Sequence, residues 1–192
     1  APSPGMKGGQ AIAEIILGET EPSGRLPITF PRHAGQLPVY YNQIRGQHGN
    51  RYADLTQNPA FAFGEGLSYT TFEYGDPTIT NVPESGIFAE TDTVHAEITL
   101  TNTGDRKGTE VVQLYIGDIV TSYSWTDREL KAFKRVELEP GEAKTVTFEI
   151  PVANCTIVDP DANRIVEPGE FELLIGHSSR REDLKCTTFT VA

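Results

Sequence analysis

The feature that most constrains the fold is an alternation of apolar and polar residues along several short segments of residues 72–192. A period of two places successive side chains on opposite faces of a β-strand. The alternation is clearest at Val94, Ala96, Ile98 and Leu100, at Val146, Phe148 and Ile150, and at Phe171, Leu173 and Ile175. Turn sequences separate these segments, namely NTGD at 102–105 and EPGE at 139–142 and 167–170. With TITNV, EVVQLYI, LKAFKRVEL and CTTFTV, the pattern predicts about seven strands and a mainly β chain that forms an immunoglobulin-like or fibronectin type III-like sandwich.

Two of these strands are apolar on both faces. Val111 and Tyr115 lie opposite the inward-facing residues of EVVQLYI, and Leu174 interrupts the polar side of its strand. A solvated sheet face is usually polar. Either the sheet docks against another surface, or these are scattered surface apolar residues or central-strand packing, both of which are common. The sequence leaves both readings open.

The first third of the chain does not form a complete domain. GGQAIAEIILGE (8–19) predicts a helix with Gly18 as its C-terminal cap, and LPITF (26–30) predicts a short strand that Pro27 limits to an edge. One helix and one strand cannot bury each other, so they are expected to be the remnant of an α/β layer. The predicted organisation is this remnant at 1–33, a long linker and junction at 34–71, and the β-sandwich at 72–192.

Charge and composition exclude several classes of partner. Residues 1–70 hold five basic and five acidic residues, whereas residues 71–192 hold 11 and 22, so the net charge of −11 belongs to the predicted sandwich. Binding to nucleic acid or to an anionic membrane requires clustered basic residues, so neither partner is expected. No apolar run is long enough to span a bilayer.

No metal site or cofactor is predicted. The four histidines are scattered singly, and two cysteines cannot form a zinc site alone. Cys155 and Cys186 are expected to be free thiols, with one disulfide between them as the alternative.

The best candidate for ligand contact is VYYNQIRGQHGNRY (39–52). Aromatic rings can cover the apolar face of a sugar, while amides and guanidinium groups bind its hydroxyls. Tyr40, Tyr41, Asn42 and Arg51 are therefore predicted to bind substrate, together with Trp125 in SYSWTDREL. The alternative is that the tyrosines anchor the linker against the sandwich.

The segment FAFGEGLSYTTFEY (61–74) carries five aromatic rings and two glycines. Glycines permit backbone conformations closed to other residues, and aromatic side chains can fill a seam between domains. The segment is predicted to join the α/β remnant to the sandwich, with Phe63 and Tyr69 buried from both sides. Glu65, between the two glycines, is expected to be non-catalytic because a loop lacks the rigid support that acid catalysis requires.

The order of these motifs resembles the C-terminal part of family 3 glycoside hydrolases, the β-glucosidase and β-xylosidase type. GGQAIAEIILGETEPSGRLPITFP, the Tyr-Tyr-Asn loop, FGEGLSYTTFEY, TNTG, EVVQLYI, ELKAFKRVELEPGE and VEPGEFELLIG carry this resemblance over nearly the whole chain. Glu65 stands where many relatives have an aromatic residue or His. SYSWTDREL lacks the Arg-Pro pair that often precedes Glu-Leu in relatives, so its loop conformation differs from the family pattern.

The resemblance implies a retaining exo-β-glycosidase acting on β-glucosides or related β-glycosides. Its Asp nucleophile lies in a barrel domain and its Glu acid/base in an α/β sandwich domain, both upstream, so no catalytic residue is expected in this chain. The implied partners are those upstream domains and a glycoside or oligosaccharide substrate. Assembly into a homo-oligomer is left open. The alternative is a stand-alone fibronectin-type module for carbohydrate binding or adhesion.

Overall fold

The computed structural model describes residues 5–44 and 56–192 of the chain. These residues contain one α-helix, α1 (Gly8–Ile16). The strands in chain order are β1 (Phe72–Tyr74), β2 (Thr78–Ile79), β3 (Ile87–Phe88), β4 (Thr93–Asn102), β5 (Gly108–Asp118), β6 (Glu129–Leu138), β7 (Ala143–Pro151), β8 (Ile157–Val158), β9 (Arg164–Ile165), β10 (Gly169–Gly176) and β11 (Leu184–Val191). Short 3₁₀ turns lie at Ala34–Gln36, Val152–Asn154 and Arg181–Asp183.

The strands form two sheets packed face to face. In the first sheet, β4 pairs with β1 and β2 along one edge and with β7 along the other. The second sheet has the order β3-β11-β10-β5-β6, and only its β3–β11 pair is parallel among these described strands. A separate hairpin consists of β8 and β9. The predicted immunoglobulin-like or fibronectin type III-like sandwich is confirmed.

The core lies between the sheets and is built from the residues that the alternation placed inward. All are at most 4% exposed: Val94, Ala96, Ile98, Leu100, Val112, Leu114, Ile116, Val146, Phe148, Ile150, Phe171, Leu173 and Ile175. Phe88 and Phe189 close one end, with their rings edge to face at 5.9 Å. Because so many apolar side chains are removed from water, the sandwich contains its own core.

Helix α1 ends where Gly18 was predicted to cap it. Gly18 adopts φ +75°, its N–H donates to the Ile15 carbonyl, and the Glu19 N–H donates to the Glu14 carbonyl. These two bonds form a Schellman motif, which a glycine favours because its positive φ meets no Cβ. Ile16 and Leu17 are more than 70% exposed, so one apolar side of the helix has no cover within the described residues.

The segment predicted as a strand at 26–30 runs beside residues 61–65 and makes only an isolated bridge. The Leu26 N–H donates to the Glu65 carbonyl, and the Gly64 N–H donates to the Leu26 carbonyl. Phe30 forms the bridge with Phe61. Pro27 has no N–H to donate, which prevents a continuous ladder through this segment.

The first third of this same chain covers the outer face of the five-stranded sheet at its centre, whereas Phe133 of β6 remains 63% exposed on that face. Tyr115 is fully buried, and Leu174, which is paired with it across β5 and β10, is 1% exposed. The side-chain amide of Gln113 donates to the carbonyls of Gly64 (3.1 Å) and His177 (2.6 Å). Of the two readings of the outward apolar residues, docking is the one the structure shows. No helix among the described residues is long and apolar enough to cross a membrane.

Candidate functional site

An aromatic stack holds the linker against the sandwich. The rings of Tyr41 and Phe63 are stacked with centroids 4.3 Å apart, and Tyr41 meets Tyr115 edge to face at 5.9 Å. The Tyr41 hydroxyl accepts a hydrogen bond from the Leu130 N–H at 3.2 Å. Burial raises the pKa of Tyr41 above its usual value. Tyr41 therefore anchors the linker, and the neighbouring Tyr40 remains 62% exposed.

Position 64, next to this stack, requires a glycine because the side chain of Gln113 approaches its backbone closely. Its φ is +79°, and a Cβ at this position would lie 2.0 Å from Oε1 of Gln113. A side chain would therefore be strained in its backbone and would displace the amide that donates to the Gly64 carbonyl. This accounts for the first glycine of FGEG.

Glu65 serves as a hydrogen-bond acceptor within the junction. Its Oε2 accepts from the Ala62 N–H (2.7 Å) and from Nε of Arg180 (2.9 Å). Arg180 also donates to the Ala60 carbonyl at 3.2 Å. One carboxylate oxygen thus ties the glycine loop to the chain that follows β10.

Tyr69 connects the sandwich to α1 at the surface. Its hydroxyl donates to the Ile15 carbonyl, and the guanidinium of Arg106 lies 5.1 Å from its ring centroid. Arg106 also donates to the Gly18 carbonyl at 2.7 Å. The expectation that Tyr69 is buried from both sides is wrong, because the residue is 39% exposed. Phe63 is half-buried.

An open cleft of about 540 Å³ lies beside the aromatic stack. Residues of the linker, of the segment before β6 and of the loop after β10 meet there, including Tyr40, Tyr41, Asn58, Asp127, Arg180 and Arg181. Ligand pockets commonly measure 300–1,000 Å³ and combine a few apolar surfaces with placed polar groups. The cleft is therefore large enough for a ligand of drug or disaccharide size.

The structure brings some of the predicted ligand-contact residues together and separates others. Tyr40 and Tyr41 both line the cleft. Asn42 is half-buried and is not among the lining residues, whereas Trp125 lines a different cavity of about 10 Å³ beside Cys155. Arg51 lies outside the described residues.

Sequence reasoning missed the polar half of the cleft. Asn58, Asp127 and Arg181 come from three distant parts of the chain and form no local motif. Asn58 and Asp127 lie in irregular segments and Arg181 begins the 3₁₀ turn after β10, and such connecting segments commonly carry binding residues.

Each arginine that lines the cleft in the described part of the chain is paired with a carboxylate. Arg128 contacts Asp127 and donates Nε to the Ser179 carbonyl at 3.1 Å. Arg180 pairs with Glu65 at 2.9 Å, and Arg181 forms a two-point contact with Glu172, one arm at 2.9 Å. Pairing leaves these guanidinium charges largely compensated.

The two cysteines are free and differ in environment. Cys155 is buried, and burial raises its pKa to about 11. Cys186 is exposed. Across residues 5–44 and 56–192, no group of three His, Cys, Asp or Glu side chains is arranged to hold a metal ion.

Two family models match the chain in tandem. Residues 1–69 match the glycosyl hydrolase family 3 C-terminal domain, and residues 110–179 match a fibronectin type III-like domain. A β-xylosidase of Formosa agariphila is 40% identical in an alignment of 190 residues that covers 97% of this chain. The chain belongs to glycosyl hydrolase family 3. It corresponds to the C-terminal region of that family, as its motif order predicted.

Other family 3 members agree in sequence and in fold. The periplasmic β-glucosidase of Salmonella typhimurium is 38% identical over 187 residues, covering 92% of the chain and 24% of that enzyme. A solved β-glucosidase involved in saponin metabolism, from intestinal bacteria, is 86% identical with a TM-score of 0.97 over the whole chain. The β-glucosidase of Listeria innocua is 34% identical with a TM-score of 0.87, over 98% of the chain and 26% of its own.

The chain spans about a quarter of the length of the curated relatives it matches, 26% of the Formosa β-xylosidase and 24% of the Salmonella β-glucosidase. It covers 25% of the solved β-glucosidase from intestinal bacteria.

Proposed function

We propose that this chain is the non-catalytic C-terminal portion of a retaining exo-β-glycosidase that hydrolyses β-glucosides or related β-glycosides. Its role is to stabilise, and to help rim, an active site built by an upstream barrel and an upstream α/β sandwich domain. The proposed boundaries are an α/β piece at 1–33, a linker and junction at 34–71, and the fibronectin type III-like domain at 72–192. The relatives named as β-glucosidases and β-xylosidases support the substrate class.

The observation that carries the stabilising role is the cover of the outer sheet face by the first third of the chain. Tyr41, on which Phe63 stacks, contacts Tyr115, and the Gly64 carbonyl accepts from Gln113; Tyr115 and Gln113 are at most 3% exposed. A domain that docks through buried aromatic and amide groups restrains the position of the segment it holds. Within residues 1–33, Arg25 pairs with the buried Glu110 of β5 at 2.9 Å, so the sandwich would also hold this piece in a defined place.

The non-catalytic role is supported by the bonding of Glu65. A general acid has to present its proton to the bond that breaks, and it contributes about 10²–10⁴ in rate. Glu65 instead accepts hydrogen bonds from Nε of Arg180 and from the Ala62 N–H through one carboxylate oxygen, so its role is to hold the glycine loop to the chain after β10. The nucleophile and the acid/base of the proposed reaction are assigned to the upstream domains.

The test is kinetic and uses two samples. The 192-residue chain alone is expected to show no hydrolysis of an aryl β-glucoside above buffer. In the intact protein that carries this chain, Glu65→Gln is expected to lower kcat less than about tenfold, and Glu149→Gln on the exposed side of β7 serves as the control. Turnover by the isolated chain, or a loss of a hundredfold or more in folded Glu65→Gln, would overturn the proposal.

A stand-alone carbohydrate-binding module is the second candidate, and the cleft beside Tyr40 favours it. Intact-mass measurement on the native protein separates the two. A family 3 enzyme is expected to have a mass of about four times the 21.1 kDa of this chain, because the chain spans about a quarter of its relatives. A native mass near 21.1 kDa would instead support the module.

A further inference from the structure

The cleft beside the aromatic stack combines an exposed ring with hydrogen-bonding groups. Tyr40 is 62% exposed at the cleft, so one side of its ring is available to an incoming ligand. Asn58 and Asp127 stand on the same cleft and offer an amide and a carboxylate. Tyr41 is held by its contacts with Phe63 and Leu130, so the backbone of the adjacent Tyr40 is held at the cleft as well.

The electrostatics of the cleft argue against an anionic ligand. Among residues 5–44 and 56–192, three guanidinium groups line it, and each one pairs with a carboxylate: Arg128 with Asp127, Arg180 with Glu65, and Arg181 with Glu172. Glu182 adds a further carboxylate at the cleft. An anion would have to break one of these pairs and would face that extra negative charge, whereas a neutral polyol needs only hydrogen bonds.

We infer that this cleft binds a neutral saccharide, with a sugar ring lying against Tyr40 and hydroxyl groups bonded by Asn58 and Asp127, and that it discriminates against uronic acids. The choice of a saccharide among neutral polar ligands rests on the proposed function. The discrimination rests on the paired arginines alone. Tyr40 is thus a binding residue, whereas Glu172 acts through Arg181 as a determinant of specificity.

The experiment is an NMR titration of the ¹⁵N-labelled 192-residue chain with cellobiose and, separately, with methyl β-D-glucuronide. Cellobiose is expected to give saturable shifts at Tyr40, Asn58 and Asp127, with a Kd on the order of 1 mM, and the glucuronide to bind at least fivefold more weakly. Because binding is read from this chain and hydrolysis from the intact protein, failure here is distinct from failure of the proposed function.

Variants test each half of the inference. Tyr40→Ala is expected to weaken cellobiose binding at least fivefold, while Tyr123→Ala, an exposed tyrosine outside the cleft, leaves it unchanged. Glu172→Gln releases Arg181 and is expected to improve glucuronide binding at least threefold. The inference is overturned if no saturable shifts occur, if shifts lie away from the cleft, or if Tyr40→Ala binds as before. Equal affinity for both sugars, or no response to Glu172→Gln, refutes the charge argument.

Discussion

Replacing Glu110 by Gln should loosen the attachment of the first third of the chain to the sandwich. Nη2 of Arg25 lies 2.9 Å from both carboxylate oxygens of Glu110, and the two side chains are only 8% and 4% exposed. The substitution leaves the Arg25 charge buried without its counter-charge, which typically costs 3–5 kcal/mol. We expect the free energy of unfolding, measured by urea titration of the 192-residue chain, to fall by about that amount.

Two further variants separate the buried charge from a general effect of the mutation. Glu137→Gln removes an exposed partner of Lys107, 2.6 Å away, and should leave the free energy of unfolding nearly unchanged because solvent screens exposed ion pairs. Arg25→Met combined with Glu110→Leu removes both buried charges and should recover most of the loss. If the free energy of unfolding of Glu110→Gln lies within about 1 kcal/mol of that of the unaltered chain, the Arg25–Glu110 pair does not hold the first third of the chain to the sandwich.

Three other changes test the junction and the thiols. Phe63→Ala removes a half-buried ring that is stacked on Tyr41 and should lower the free energy of unfolding by about 2 kcal/mol in the same urea assay. Gly64→Ala should cost about 2–4 kcal/mol, seen as a lower Tm, because the new Cβ meets Gln113 and the positive φ is strained; an unchanged Tm would contradict the close approach. Iodoacetamide at pH 8 should modify Cys186 before Cys155, as read by peptide mass. Because burial raises the pKa of Cys155 to about 11, its thiolate should become abundant in the folded chain only as the pH rises towards that value.

The sandwich could be predicted because its signals are local. The buried face can be read from the alternation within a single strand, as in Val94 to Leu100 and Val146 to Ile150. The apolar residues of both ranges lie in the core of the structure. A single residue, Gly18, likewise predicted the end of α1. Where local period and fold agree, sequence reasoning succeeds.

The cleft and the docking contacts could not be predicted because they depend on distant pairs. Arg25 and Glu110 are 85 residues apart, and Tyr41 and Leu130 are 89 apart. Tyr69 was misjudged for the same reason. It lies in a segment rich in aromatic residues, but its hydroxyl reaches only the end of α1, and the residue stays 39% exposed.

The docking of the first third onto the sandwich also sets an order of events during synthesis. Glu65 and its partner Arg180 are separated by 115 residues. At translation rates of about 5–20 residues per second, roughly 6–23 s pass between the appearance of one and of the other. The glycine loop therefore leaves the ribosome well before β10, β11 and the loop between them exist. Through that interval Glu65 lacks its partner Arg180 and the five-stranded sheet lacks β10 and β11, so the junction can acquire its final contacts only after the last strands are synthesised.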